Sequence, residues 1–130
     1  PDVPNVGWMF GKGVYFADMF TKSMGYAHSE TGDPGYFMLL CEVVLGKTYD
    51  RYQSEFIEML PEGFLSTLGK GQTGPDFTKS IYLPNGVEVP LGPIIGYTKA
   101  LNEPYPSLSM NEYIVYNTDQ IRIRYLLHLR

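Results

Sequence analysis

The chain has 130 residues, of which 44% are hydrophobic and 18% are charged, and this composition excludes a disordered chain and allows one packed domain. The formal net charge is −4, so the charge balance does not predict a broad nucleic-acid-binding surface. The single cysteine, Cys41, excludes an internal disulfide framework and is typical of a reducing compartment. The sequence contains no apolar run of membrane-spanning length, which excludes a predicted membrane helix. It begins with Pro1 and lacks a signal-peptide pattern, so we expect the chain to start partway through a longer protein or to be processed.

The first part of the chain predicts one strand followed by one helix. Residues 1–13 are rich in Pro and Gly and predict a loop, and the apolar run at residues 14–17 predicts a short strand. Asp18 is expected to cap a helix over residues 19–28, because its carboxylate can accept hydrogen bonds from the free N–H groups of the first turn. Residues 32–35 (GDPG) then predict a turn.

The rest of the chain predicts short strands between long loops. The nearly continuous apolar run at residues 36–45 indicates a strand buried on both faces. Residues 53–79 and 92–110, rich in Pro and Gly, predict irregular loops, and the first of these has a length typical of functional loops. Further strands are predicted at residues 48–52, 81–83, 87–91, 112–116 and 121–129, with a hairpin turn at residues 84–86. This pattern predicts an α+β domain with a mostly antiparallel sheet and few helices.

Two common types of site are excluded by spacing. Residues 46–48 (GKT) imitate the end of a phosphate-binding loop, but the earlier glycine of that motif would fall at Cys41. His28 and His128 lie far apart, with no Cys or His neighbour at metal-ligand spacing. We therefore predict no metal site.

Several segments occur in the order found in one known family. The segment at residues 10–19 (FGKGVYFADM), continuing through Lys22 and Ser23 to Tyr26, and the segment at residues 111–116 (NEYIVY) closely resemble two signatures of poly(ADP-ribose) polymerases. Three further segments also look like those of the family: residues 40–46 (LCEVVLG), 89–92 (VPLG) and 124–127 (RYLL). The resemblance covers nearly the whole chain.

The resemblance implies an ADP-ribosyltransferase fold, in which an NAD+ site is built around a split β-sheet. Members of the family use a His-Tyr-Glu set, and the matching segments place the tyrosine at Tyr15 and the glutamate at Glu112. The family histidine precedes this tyrosine, whereas none of residues 1–14 is His, and His28 cannot take its role. We therefore expect residues 1–130 to be the C-terminal portion of the catalytic domain, without its upstream half and inactive alone.

The resemblance also assigns roles in binding nicotinamide. Tyr26 is similar to the family tyrosine that stacks on the nicotinamide ring, Tyr15 to a tyrosine lining the same pocket, and Ser23 to the serine that holds the carboxamide. Ser23 and Tyr26 are three residues apart, so one helix face can present both. Lys22 resembles a lysine near the acceptor side. Core packing of the two tyrosines and solvent exposure of Ser23 and Lys22 are the alternatives.

Glu112 is the principal catalytic candidate. A carboxylate at this place can bind a ribose hydroxyl, stabilise developing positive charge and help to deprotonate an acceptor. The alternative is an exposed strand glutamate. In the family, a glutamate at this position accompanies chain elongation, so the resemblance favours polymerase chemistry.

The sequence therefore predicts an enzyme that cleaves the nicotinamide–ribose bond of NAD+ and transfers ADP-ribose to protein acceptors and to a growing poly(ADP-ribose) chain. A mono-ADP-ribosyltransferase and an inactive binding module remain alternatives. By resemblance, the longer protein is expected to be nuclear, to act in the DNA damage response and to contact DNA only through other domains.

Overall fold

The computed structural model describes residues 8–27 and 35–130. The strands in these ranges are β1 (Val14–Phe16), β2 (Tyr36–Val43), β3 (Thr48–Arg51), β4 (Ser66–Gly69), β5 (Gly71–Pro75), β6 (Ile81–Tyr82), β7 (Glu88–Val89), β8 (Ile94–Gly96), β9 (Leu108–Met110), β10 (Glu112–Val115) and β11 (Ile121–Leu129). Helix α1 (Phe20–Met24) follows β1, and short 3-10 helices occupy Phe77–Lys79 and Thr118–Gln120. The architecture confirms the predicted α+β class, with five antiparallel and two parallel strand pairings in the described ranges.

The single α-helix is shorter than predicted and begins differently. It has five residues, with Met19 at the N-cap and Gly25 at the C-cap. The expectation that Asp18 caps this helix is wrong, because its carboxylate accepts hydrogen bonds from side chains of a distant strand instead. Residues 25–27, which include Tyr26, were also predicted as helix but form a turn and a loop, whereas His28 and most of the predicted turn at 32–35 lie outside the described residues.

The sheet that carries the site has the strand order β1-β10-β4-β3. Strand β10 is central and pairs antiparallel with both β1 and β4, while β3 pairs parallel with β4. Its residues Ile114 and Val115 are fully buried. The hydrophobic core forms around Phe10, Ile57 and Ile114, so the loop before β1 is packed directly beneath this sheet.

Strands β2 and β11 form a separate antiparallel pair. The prediction that residues 36–45 are buried on both faces is wrong, since Phe37, Leu39 and Leu40 are each more than half exposed. The pairing shifts register between Ile123 and Tyr125. An uninterrupted apolar run has the same appearance in sequence whether or not both faces are covered.

Two segments predicted as loops contain strands. Residues 53–79 include β4 and β5, residues 92–110 include β8 and β9, and the third sheet has the order β8-β5-β9. These strands are short and lie within Gly- and Pro-rich segments, so they leave little side-chain periodicity in the sequence. The predicted hairpin is confirmed as the pair β6–β7.

Chain segments 66–75 and 108–115 each pass from one sheet into another. Gly69 pairs with Glu112 in the antiparallel register of β4 and β10, whereas β5 pairs parallel with β9. Lys70 and Asn111 lie at the two changes of sheet. The crossing is tight, because a side chain on Gly71 would collide with the backbone of Met110 and Asn111.

In residues 8–27 and 35–130, no helix has the length and apolar character needed to cross a membrane.

Candidate active site

A cleft of about 1040 Å³ opens beside strand β10 and helix α1. It is lined by β1, α1, β2, β10 and the β6–β7 hairpin, which contributes Asn85 and Glu88. All five residues singled out from the sequence line this one cleft: Tyr15, Lys22, Ser23, Tyr26 and Glu112. Residues up to 97 positions apart in sequence therefore meet on one surface.

Glu112 forms a nearly buried ion pair with Lys22. The Lys22 Nζ atom lies 3.0 Å from Glu112 Oε1, and the side chains of the two residues are 12% and 10% exposed. Lys22 Nζ also donates to the backbone carbonyl of Met110 at 2.9 Å. The lysine thus connects α1 to the strand segment just before Glu112 and fixes one oxygen of the carboxylate.

The second oxygen of Glu112, like Oδ1 of Asp18, lacks a hydrogen-bond partner in the described part of the chain. Glu112 Oε2 is buried, and no hydrogen-bond partner for it is present among the described residues. A buried polar atom without a partner costs roughly 1–3 kcal/mol. Such an atom on the wall of a cleft is suited to accept a hydrogen bond from a bound hydroxyl group.

Asp18, which lines the same cleft, binds the two residues that flank Glu112. Its Oδ2 atom accepts from Asn111 Nδ2 at 2.9 Å and from the Tyr113 hydroxyl at 2.8 Å. Burial raises the pKa of Asp18, although these two hydrogen bonds oppose that shift. Burial, and then the nearby charge of Asp18, strongly raise the pKa of Tyr113.

The aromatic residues occupy different positions in the cleft. Tyr15 packs against the core, and its hydroxyl donates to the carbonyl of Gly11 at 2.8 Å and accepts from the N–H of Phe10 at 3.0 Å. Tyr26 is 68% exposed, just beyond the end of α1. Tyr15 is thus partly a core residue, as the alternative interpretation allowed, whereas the exposed ring of Tyr26 is available to a planar ligand.

Cys41 and Glu42 also line the cleft. Burial raises the pKa of the Cys41 thiol, which disfavours the nucleophilic thiolate at neutral pH. Glu42 has its Oε1 atom 3.8 Å from Nη1 of Arg124. Across residues 8–27 and 35–130, no group of three or more His, Cys, Asp or Glu side chains is placed to hold a metal ion.

The sequence analysis missed the roles of Asp18, Asn111 and Tyr113. Asn111 and Tyr113 flank Glu112, and alternate residues of a strand project to the same face. That alternation could have indicated a second polar layer behind Glu112. The sequence could not show that Asp18 is the hydrogen-bond partner of Asn111 and Tyr113, because 93 and 95 residues separate it from these positions.

A family model described as "Poly(ADP-ribose) polymerase catalytic domain" matches residues 1–130. The chain belongs to this family. Three similar proteins agree: "Poly [ADP-ribose] polymerase 2-A" of Oryza sativa subsp. japonica is 47% identical over 130 residues, "Poly [ADP-ribose] polymerase 1" of Gallus gallus is 45% identical over 130 residues, and "Poly [ADP-ribose] polymerase" of Drosophila melanogaster is 40% identical over 129 residues. The resemblance inferred from the ordered sequence segments is confirmed.

These matches cover 99%, 100% and 99% of this chain, but 19%, 12% and 13% of the three relatives. The chain therefore spans about a fifth or less of the length of these relatives. The similarity defines the family of this segment.

Proposed function

We propose that the protein carrying this chain is an NAD+ ADP-ribosyltransferase that makes poly(ADP-ribose). The observation that carries the proposal is the geometry of Glu112, whose Oε1 atom is fixed by Lys22 while Oε2 is buried in the cleft wall with no partner in the described chain. Membership of the polymerase catalytic-domain family supports the same activity.

The residues of the cleft fit the nicotinamide riboside half of NAD+. The faces of Tyr15 and Tyr26 can hold a planar ring, and aromatic contacts of this kind contribute about 0.5–1.5 kcal/mol beyond burial. Ser23 supplies a hydroxyl that can bond to a carboxamide. Glu112 Oε2 is then the acceptor for a ribose hydroxyl.

Cleavage of the nicotinamide–ribose bond passes through a transition state with oxocarbenium character, as in glycoside hydrolysis. The negative charge of Glu112 stabilises the positive charge that develops on the ribose. The same carboxylate can accept the proton of an incoming hydroxyl group. Lys22 keeps the carboxylate in one orientation for both tasks.

The proposal extends to the longer protein. It includes protein side chains and the growing polymer as acceptors, a histidine supplied from outside residues 1–130, a nuclear location, a role in the DNA damage response and contact with DNA through other domains. The resemblance at residues 10–19 and 111–116 supports these points. Transfer of a single ADP-ribose is disfavoured by Glu112, which in the family accompanies elongation.

The test uses the full-length protein with labelled NAD+, beside the variants Glu112→Gln and Glu62→Gln. Glu62 is exposed, so its variant controls for loss of one carboxylate. A ladder of high-mass label that collapses in Glu112→Gln alone is the expected result. A single labelled band in all three proteins would indicate mono-transfer, and intact NAD+ in all three would indicate a binding module.

A further inference from the structure

One carboxylate oxygen of Asp18 holds β10 on both sides of Glu112. Asp18 Oδ2 accepts from Asn111 Nδ2 at 2.9 Å and from the Tyr113 hydroxyl at 2.8 Å. From this geometry we infer that Asp18 is a positioning residue for Glu112. The inference rests on the catalytic role proposed above for Glu112.

The alternation of side chains along a strand explains how Asp18 acts. Asn111 and Tyr113 project to one face, and Glu112 projects to the other. Two hydrogen bonds from the first pair to one oxygen restrict rotation of the strand about its own axis. The direction of the Glu112 side chain is fixed by the same restraint.

The amide of Asn111 is itself held in one orientation. Its Oδ1 atom accepts from the backbone N–H of Gly71 at 2.9 Å, which turns Nδ2 toward Asp18. The Tyr97 hydroxyl lies 3.4 Å from the same Nδ2 atom and donates to the carbonyl of Pro75 at 2.9 Å. Asp18 is therefore the charged centre of a network that connects β10 to β5.

Asp18 also precedes the segment that carries the partner of Glu112. Lys22 lies four residues after Asp18, in α1. Its Nζ atom contacts Glu112 Oε1 at 3.0 Å and the Met110 carbonyl at 2.9 Å. Asp18 therefore restrains both members of the ion pair. It restrains Lys22 through the short chain segment between them, and Glu112 through the hydrogen bonds to its neighbours Asn111 and Tyr113.

Removal of the Asp18 carboxylate should have different effects on kcat if Asp18 positions Glu112 and if it only stabilises the fold. If Asp18 acts through Glu112, removal of its carboxylate lowers kcat while the KM for NAD+ changes little, and the effect disappears once Glu112 is inactivated. If Asp18 only stabilises the fold, the loss is similar in both backgrounds. A double-mutant cycle separates the two.

The experiment measures steady-state nicotinamide release by the full-length protein in wild type, Asp18→Ala, Glu112→Gln and the double variant. We expect kcat of Asp18→Ala to fall by about 100-fold, the loss typical of a misplaced catalytic group. Glu112→Gln combined with Asp18→Ala should release nicotinamide at the rate of Glu112→Gln alone. Asp18→Asn retains an acceptor oxygen and should recover most of the activity.

Two further variants keep the test decisive. Tyr113→Phe removes only one of the two hydrogen bonds and should give an intermediate fall in kcat even if Asp18→Ala fails to fold. Asp119→Ala, at an exposed position, is the matched control and should behave as wild type. Wild-type kcat in Asp18→Ala and Tyr113→Phe, or equal losses in both backgrounds, would overturn the inference while leaving the role of Glu112 intact. Full activity in Glu112→Gln would overturn the proposed function itself.

Discussion

Lys22 and Glu112 lie 90 residues apart in sequence, yet Nζ of one is 3.0 Å from Oε1 of the other, and both side chains are nearly buried. The pair joins the short helix after β1 to the central strand of the sheet. Because Lys22 also binds the Met110 carbonyl, the ammonium group is held at two points.

Lys22→Met should destabilise the protein and reduce transfer. Breaking a buried ion pair by removing one partner costs about 3–5 kcal/mol, because the remaining charge is left uncompensated. We expect the free energy of unfolding to fall by an amount toward the lower end of that range, measured by urea denaturation. Lys22→Met combined with Glu112→Gln should regain part of the loss, and a double variant less stable than Lys22→Met would contradict this account.

Tyr15→Phe should affect stability more than substrate binding. The hydroxyl makes two hydrogen bonds to the backbone of residues 10 and 11, each contributing roughly 0.5–1.5 kcal/mol, whereas the ring remains in the cleft. We expect lower thermal stability with a KM for NAD+ within about 2-fold of wild type, since the ring surface for stacking is retained. Tyr82→Phe, at an exposed tyrosine, is the control. A large rise in KM for Tyr15→Phe would show that the hydroxyl binds substrate.

Asp18 should make the protein less stable as the pH rises above the ordinary carboxyl range. Burial raises its pKa above the ordinary value of 3.8, so the folded state binds the proton more tightly than the unfolded state. Its contribution is fully present below pH 3.8 and is lost as the pH rises through the raised value. Wild type should therefore lose stability relative to Asp18→Asn across this window in denaturation at a series of pH values. A relative gain would mean that the hydrogen bonds to the charged form outweigh burial.

Gly71→Ala should disturb both the fold and the site. Its new methyl group would collide with the backbone of Met110 and Asn111, and overpacking of this kind costs about 1–3 kcal/mol. Because the displaced residues directly precede Glu112, activity should fall as well. Gly96→Ala is the matched control, since its Cβ would meet open space. Unfolding by urea and assay of transfer should show losses in Gly71→Ala alone.

Local chemistry in the sequence was sufficient for some elements. The Asn85-Gly86 pair predicted the β6–β7 hairpin, and apolar runs predicted β1, β2, β10 and β11 with small errors at their ends. Strands β4, β5, β8 and β9 were missed, because they lie in Gly- and Pro-rich segments and are defined by pairing with distant strands. The cap predicted for Asp18 failed for a related reason, since side chains of a distant strand compete for its carboxylate.

The sequence by itself determined the family and the α+β class, and it indicated five candidate site residues, since each of these depends on short ordered segments that need no knowledge of contacts. Only the tertiary structure decided that Lys22 neutralises one oxygen of Glu112 while the other has no partner among residues 8–27 and 35–130, and that Asp18 binds the residues on both sides of Glu112. The physical reason is separation along the chain. Local propensities act over a few residues, whereas these contacts join positions about 90 residues apart and arise only when the sheet is assembled.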